Sequence, residues 1–174
     1  MRYVALLRGI NVGGKRKVEM VRLRGLMEKS GYLHVETYLN SGNVLFDSEE
    51  SQDKLQGEIP LLLEKEFLFP IPALIKSLDE MRTVDAAIPE EWQNNKEQKT
   101  DVAYLFPGLD SHTVVRGLPW KEEYINIRLL PGAIIWNIER SNLNKSQLSK
   151  IVSQKVYQSM TVRNVNTARK LAEN

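Results

Sequence analysis

Gly9, four residues, then Gly14 and Lys15 in the segment LLRGINVGGKRKVEM (6–20) reproduce the spacing of a phosphate-binding loop, and the apolar run YVALL precedes them. In such a loop glycine amides cradle the phosphates, the lysine reaches the terminal ones, and a following Ser or Thr hydroxyl ligates Mg²⁺. Here that last position is Arg16. The loop also needs a parallel sheet whose strand feeds a helix. Only Ser41-Gly42 separates the segments LHVETYLN and NVLFD. That spacing suits a tight hairpin between antiparallel neighbours, whereas parallel strands need a long crossover. A nucleotide-hydrolase loop is therefore disfavoured.

Other chemistry has little to stand on. There is no cysteine, so disulfides, thiolate metal sites and cysteine nucleophiles are excluded together. His34 and His112 are the only histidines and have no partners at ligand spacing, which argues against a metal site. No G-x-S-x-G elbow is present, and Ser41 sits in a turn. The acid pairs Glu49-Glu50, Glu90-Glu91 and Glu122-Glu123 lie in polar segments and read as solvated or capping residues. Trp92, Trp120 and Trp136 read as core or boundary residues. No cofactor is implied.

The elements that would position a site follow from apolar period and punctuation. Residues 2–8 read as a strand covered on both faces. A helix is expected from Lys17 to Ser30, with Met20, Leu23 and Met27 on one face and Gly31 as its stop. The hairpin follows, then a helix over 49–67 with Leu55, Ile59, Leu62, Leu63 and Phe67 on one face. Pro60 must kink that helix or break it. Residues 71–78 read as a strand, so the order is β-α-β-β-α-β, the arrangement of a ferredoxin-like sheet. Ser77 and Glu80 have capping-box spacing for a next helix that Pro89 ends. PEEWQNNKEQKT reads as a linker. A second set of strands comprises 101–106, 124–130 and 133–139, the last two joined by a type II turn at Pro131-Gly132. A short helix follows Asp110, and helices over 144–157 and 164–172 close the chain. No internal sequence repeat is evident. The fold class expected is α+β: a ferredoxin-like subdomain over 1–78, a helix and linker over 79–100, and a second, smaller α/β subdomain over 101–174 with C-terminal helices.

The 174 residues carry a net charge of +2, unevenly spread. Residues 1–35 hold eight bases and two acids, 36–100 six and fourteen, and 140–174 seven and one. The basic ends either attract the acidic middle or converge on an anion. No apolar run approaches a membrane span, and the N-terminus lacks the features of a signal peptide. The expected location is the cytoplasm, with no membrane partner. The oligomeric state is not readable.

The segments ALLRGINVGG, TYLNSGNVLF (37–46) and TVRNVNTARKL (161–171) resemble the bacterial family catalogued as domain of unknown function 1697. The resemblance spans the chain and is weakest through 80–135. It implies two α+β subdomains, the first ferredoxin-like, and no established activity, cofactor or catalytic residue. Matching positions are Arg8, Gly9, Asn11, Gly13, Gly14, Tyr38, Ser41, Gly42, Asn43, Thr161, Arg163, Asn164, Asn166 and Thr167. Val165 departs from the family pattern, where Trp is frequent, and Asn142 replaces a frequent Lys. Lys15 is not a fixed part of that pattern.

In a ferredoxin-like sheet the first and third strands are central neighbours, so the Arg8–Gly14 loop should lie beside the Asn40–Asn43 turn. Backbone amides, a helix N-terminus and the cations Arg8, Lys15 and Lys17 would then share an edge suited to a phosphate or carboxylate. The candidate ligand-binding set is Arg8, Asn11, Gly13, Gly14, Lys15, Lys17, Asn40, Ser41 and Asn43. Arg163 and Asn164 join it if the C-terminal segment docks there. Equally, the glycines can serve only backbone dihedrals, and the asparagines their own turns and caps. A nucleic-acid-binding module using the basic termini is the alternative, although the aromatic signature of RNA-recognition sheets is absent. An enzyme acting on a phosphorylated metabolite is a further alternative.

Overall fold

The computed structural model describes residues 1–173. Two compact units divide the chain, Met1–Glu80 and the residues from Met81 onward.

The first unit contains β1 (Arg2–Leu7), α1 (Met20–Lys29), β2 (Leu33–Tyr38), β3 (Asn43–Asp47), α2 (Gln52–Phe67) and β4 (Ala73–Ser77). Its sheet is antiparallel throughout, in the order β2-β3-β1-β4. The first and third strands are central neighbours, as expected: Leu6 pairs with Asn43 on one side and Leu74 on the other. Tyr3, Ala5 and Leu7 face a core with Leu23 and Met27 of α1 and Leu55, Ile59, Leu63 and Phe67 of α2. Val4 and Leu6 point the other way and are buried too, which accounts for the unbroken apolar run.

Two local expectations are corrected, and of the kink or break expected at Pro60 the break is excluded. The hairpin turn has four residues, Leu39–Gly42, because Tyr38 pairs with Asn43. Leu39 and Gly42 both take positive φ there, 59° and 81°. Helix α1 starts at Met20, leaving Lys17 outside it. Pro60 does not break α2, which runs through all 16 residues. Burying a large apolar side chain is worth about 1.5–3 kcal/mol, and four of them outweigh the roughly 3 kcal/mol that an internal proline costs. The capping box is present: Glu80 N–H donates to Ser77 Oγ (3.2 Å) and Ser77 N–H to Glu80 Oε2 (2.9 Å). It opens α3 (Leu78–Ala86).

The second unit contains β5 (Gln98–Leu105), α4 (Ser111–Arg116), β6 (Asn126–Leu130), β7 (Ala133–Glu139), α5 (Leu143–Ser146), β8 (Met160–Asn164) and α6 (Val165–Ala172). Asp110 caps α4 through the Thr113 N–H (2.8 Å), and Asn164 caps α6 through the Thr167 N–H (2.9 Å). Pro131-Gly132 is a two-residue turn, since Leu130 pairs with Ala133. The helix expected over 144–157 is corrected. Only Leu143–Ser146 is α-helical, and 3-10 segments follow at Leu148–Ser153 and Lys155–Ser159. Gln147 in left-handed geometry, φ 59°, ends the α-helix.

The second sheet, in the order β6-β7-β5-β8, repeats the topology of the first, with matching register. Leu7 N–H donates to Gly42 O and Leu105 N–H to Gly132 O, both at 2.8 Å. Arg8 N–H donates to Pro72 O (2.8 Å) and Phe106 N–H to Ser159 O (3.0 Å). Tyr3 pairs with Ser77 as Asp101 pairs with Asn164, and each of these last residues caps the helix that follows. The chain is therefore a structural tandem in which YVALLR and DVAYLF occupy equivalent strands while sharing only Val-Ala-x-Leu.

Candidate functional site

The loop between β1 and α1 is built on glycine geometry and one asparagine. Gly13 and Gly14 have φ of 60° and 72°, the signature of a type I′ turn closed by Lys15 N–H to Val12 O (3.2 Å). Asn11 N–H donates to Arg16 O (3.1 Å), which lengthens this small ribbon by one rung. Residues 16–19 then separate Gly14-Lys15 from α1. That spacing removes the phosphate-loop geometry, in which the helix starts at the lysine.

The loop does meet the hairpin turn. Asn11 Nδ2 donates to Asn40 O (2.8 Å) and Val18 O (2.9 Å), while Asn11 Oδ1 accepts the Val18 N–H (2.8 Å). Gly42 sits so close beneath that a Cβ there would lie 2.7 Å from both Ile10 Cδ1 and Leu7 Cβ. An open cavity of about 590 Å³ borders the junction, lined among others by Asn11, Gly14, Lys15, Lys17, Glu19 and Asn40. Lys17 and Glu19 approach to 3.5 Å with both side chains largely exposed, a contact worth about 0–1 kcal/mol. Lys15 pairs with no carboxylate among the described residues.

The expected site residues thus separate into two groups. Gly14, Lys15, Lys17 and Asn40 reach the cavity, with Gly13 adjacent in the turn. Asn11 also lines it, but its amide is committed to scaffolding. Asn43 is fully buried, with Nδ2 donating to Tyr38 O (2.7 Å) and Ser41 Oγ (3.2 Å). Arg8, Ser41 and Asn43 are absent from the lining. Arg163 and Asn164 belong to the second unit. Arg163 is buried, and Nη1 donates to Thr161 Oγ1 and Val162 O, both at 2.9 Å. Burial lowers its pKa to about 10. Asn164 is the cap of α6, and Thr161 lies within β8.

Among the described residues, no group of three His, Cys, Asp or Glu side chains could hold a metal ion. No helix is long and apolar enough to cross a membrane.

Lys99, Asp101 and Trp136 were not singled out as site residues, yet all three line a second cavity within the second unit. A signal was present. Lys99 and Asp101 share the inward parity of Ala103 and Leu105, so an ion pair occupies an apolar strand face.

The chain matches the model of the family described as "Protein of unknown function (DUF1697)" over residues 1–126. Among solved structures it is similar to conserved bacterial protein SP0830 from Streptococcus pneumoniae, at 29% identity and a TM-score of 0.84. That match covers 99% of this chain and 97% of the other. No curated protein matches. The family match takes in both site loops and most of the chain's length, and the chain belongs to the DUF1697 family.

Proposed function

We propose that this protein is a cytoplasmic binder of a small anionic ligand, phosphate- or carboxylate-bearing, at the loop between β1 and α1 where it meets the β2-β3 turn. The observation that carries the reading is the cavity at that junction, on which Lys15 and Lys17 converge beside a turn of two left-handed glycines. Two cations against the single carboxylate of Glu19 leave the rim net positive. The amides of Gly13 and Gly14 add donors that need no side-chain reorganisation. Asn11 and Asn43 act as the frame, holding the loop to the turn. The element and sheet order of the first unit supports its description as ferredoxin-like.

Titration of inorganic phosphate into the ¹⁵N-labelled chain tests this. Saturable shifts of the Gly13, Gly14, Lys15 and Lys17 amides are expected, and the variant Lys15→Ala with Lys17→Ala should lose them while keeping a dispersed spectrum. Absence of any saturable shift up to about 10 mM phosphate would remove the site. Affinity for single-stranded RNA that falls steeply with salt, without a phosphate response, would instead favour a nucleic-acid surface.

A further inference from the structure

The tandem makes the two units controls for one another. In the first, α2 lays four buried side chains over β1, β3 and β4, and the sheet face beneath it is filled by Tyr3 and Phe46. Their rings lie 5.9 Å apart, and the Tyr3 hydroxyl donates to Glu50 O (2.9 Å). The register places Asp101 at the position of Tyr3 and Trp136 at that of Phe46. Above them, the counterpart of the 16-residue α2 is a four-residue helix followed by 3-10 segments. The cover is short at the point where the filling side chain has become a carboxylate. A cavity of about 700 Å³ results.

Its lining has two characters. Leu148, Ile151, Tyr157 and Val162 supply an apolar wall. Lys99, paired with the buried Asp101, and Arg140 supply a polar end carrying two positive charges against one negative. Arg140 donates from Nε to Asn95 O (2.6 Å) and from Nη2 to Asn94 Oδ1 (3.0 Å), and it pairs with no carboxylate among the described residues. Trp136 also lines the cavity. It is 1% exposed, and its indole Nε1–H has no hydrogen-bond partner. Tyr104 Oη and Trp120 Nε1 are buried without a partner as well, and the Trp136 ring packs edge-on against Trp120 at 5.6 Å.

We propose that this cavity is a second binding site, separate from the loop site of the first unit, for a small organic acid with an apolar aliphatic or aromatic body. Leu148, Ile151, Tyr157 and Val162 take the body, Arg140 attracts the carboxylate, and the buried Trp136 ring forms part of the wall. The chemistry follows from the lining: apolar area favours a hydrocarbon body, and the net positive end favours an acid over an amine.

The experiment uses the full-length ¹⁵N-labelled chain and follows the three indole N–H resonances. Phenylpyruvate and 4-methyl-2-oxopentanoate are the acid probes, with 2-phenylethanol and 3-methylbutanol as neutral counterparts. A saturable shift of the Trp136 indole by an acid probe is expected, with the neutral counterparts at least about tenfold weaker. Arg140 is exposed, so Arg140→Gln should keep the fold and weaken the acids by about tenfold or more without changing the alcohols. The proposal is overturned if no acid shifts the Trp136 indole up to about 10 mM, if acids and alcohols bind alike, or if Arg140→Gln binds acids as the unmodified chain does.

Discussion

Asn11 has donors and an acceptor and uses both. Its amide ties Val18, in the loop ahead of α1, to the hairpin turn with three hydrogen bonds of 2.8–2.9 Å. Removing it leaves Val18 N–H, Val18 O and Asn40 O to find water. Asn11→Ala should therefore destabilise the chain by about 2–4 kcal/mol, read from the urea midpoint. Asn40→Ala is the contrast, because only its backbone carbonyl takes part in that junction, and a change within about 0.5 kcal/mol is expected. Gly42 is constrained twice, by a φ of 81° and by the 2.7 Å approach of Ile10 and Leu7. Gly42→Ala should cost about 2–4 kcal/mol through backbone strain and overpacking together. If Gly42→Ala unfolds at the same denaturant concentration as the parent, the close packing of loop on turn is not as described.

At the scale of elements, the caps were the most local decisions and the ones the chain makes most firmly. Ser77 and Glu80 exchange hydrogen bonds at the start of α3, and Lys76 Nζ adds a contact of 2.8 Å to Glu80 Oε1. Burial pushes the Glu80 carboxyl up, but hydrogen bonds from Lys76 and the Ser77 N–H outweigh it and hold the group below the ordinary glutamate value. At Asp47, burial likewise pushes upward, and hydrogen bonds from His34 and Arg2 reverse it. At Asp110 the Thr113 side chain and N–H lower the carboxyl. A carboxyl with a lowered folded pKa binds fewer protons in the folded than in the unfolded state. Its stabilisation is therefore complete above the ordinary carboxylate range and is lost as pH falls through the folded value. Asp85, raised by burial, works in the opposite direction. Stability should fall between about pH 5 and pH 3, and Glu80→Gln should make that fall shallower, as urea midpoints against pH would record. Ser77→Ala should cost about 1 kcal/mol at neutral pH.

At the scale of the molecule, two sheets of one topology carry unequal covers. Helix α2 runs unbroken for 16 residues, lacking the hydrogen bond that Pro60 cannot donate, and is held by a buried apolar stripe. The equivalent connection after β7 has a single α-helical turn and short 3-10 pieces, and it leaves Val152 62% exposed. Local opening is easiest where buried contacts and regular hydrogen bonds are few. Hydrogen exchange on the full chain should therefore reach peptides within 140–159 well before those within 52–67. Equal protection of the two segments would mean that the second cover is as tightly held as the first. The distinction matters for binding, since a loosely held cover admits a ligand at small cost to the fold.

The sequence by itself determined what nearest neighbours decide: seven of the eight strands from unbroken or alternating apolar runs, though not β8 (Met160–Asn164), the hairpin from its Gly42, the Ser77-Glu80 box, the short helix after Asp110, and hence the β-α-β-β-α-β order of the first unit. Strand boundaries, the length of the Leu39–Gly42 turn and the start of α1 shifted by a few residues, because hydrogen bonds from Asn11 and Asn43 fix them and no period records those partners. Only the tertiary structure decided that the second half repeats the first. Inward and outward alternation constrains side-chain polarity rather than identity, so DVAYLF and YVALLR pair in one register with little sequence in common. It also decided which candidate residues face solvent. Asn43 and Arg163 are polar in type but turn into the protein, where Tyr38 O and Ser41 Oγ take the first and Thr161 Oγ1 and Val162 O the second, whereas Lys15 and Lys17 stay at the rim. The cavity beneath residues 143–159 lay beyond reach for the same reason: an absent helix leaves a space, and a space is a property of what packs in three dimensions.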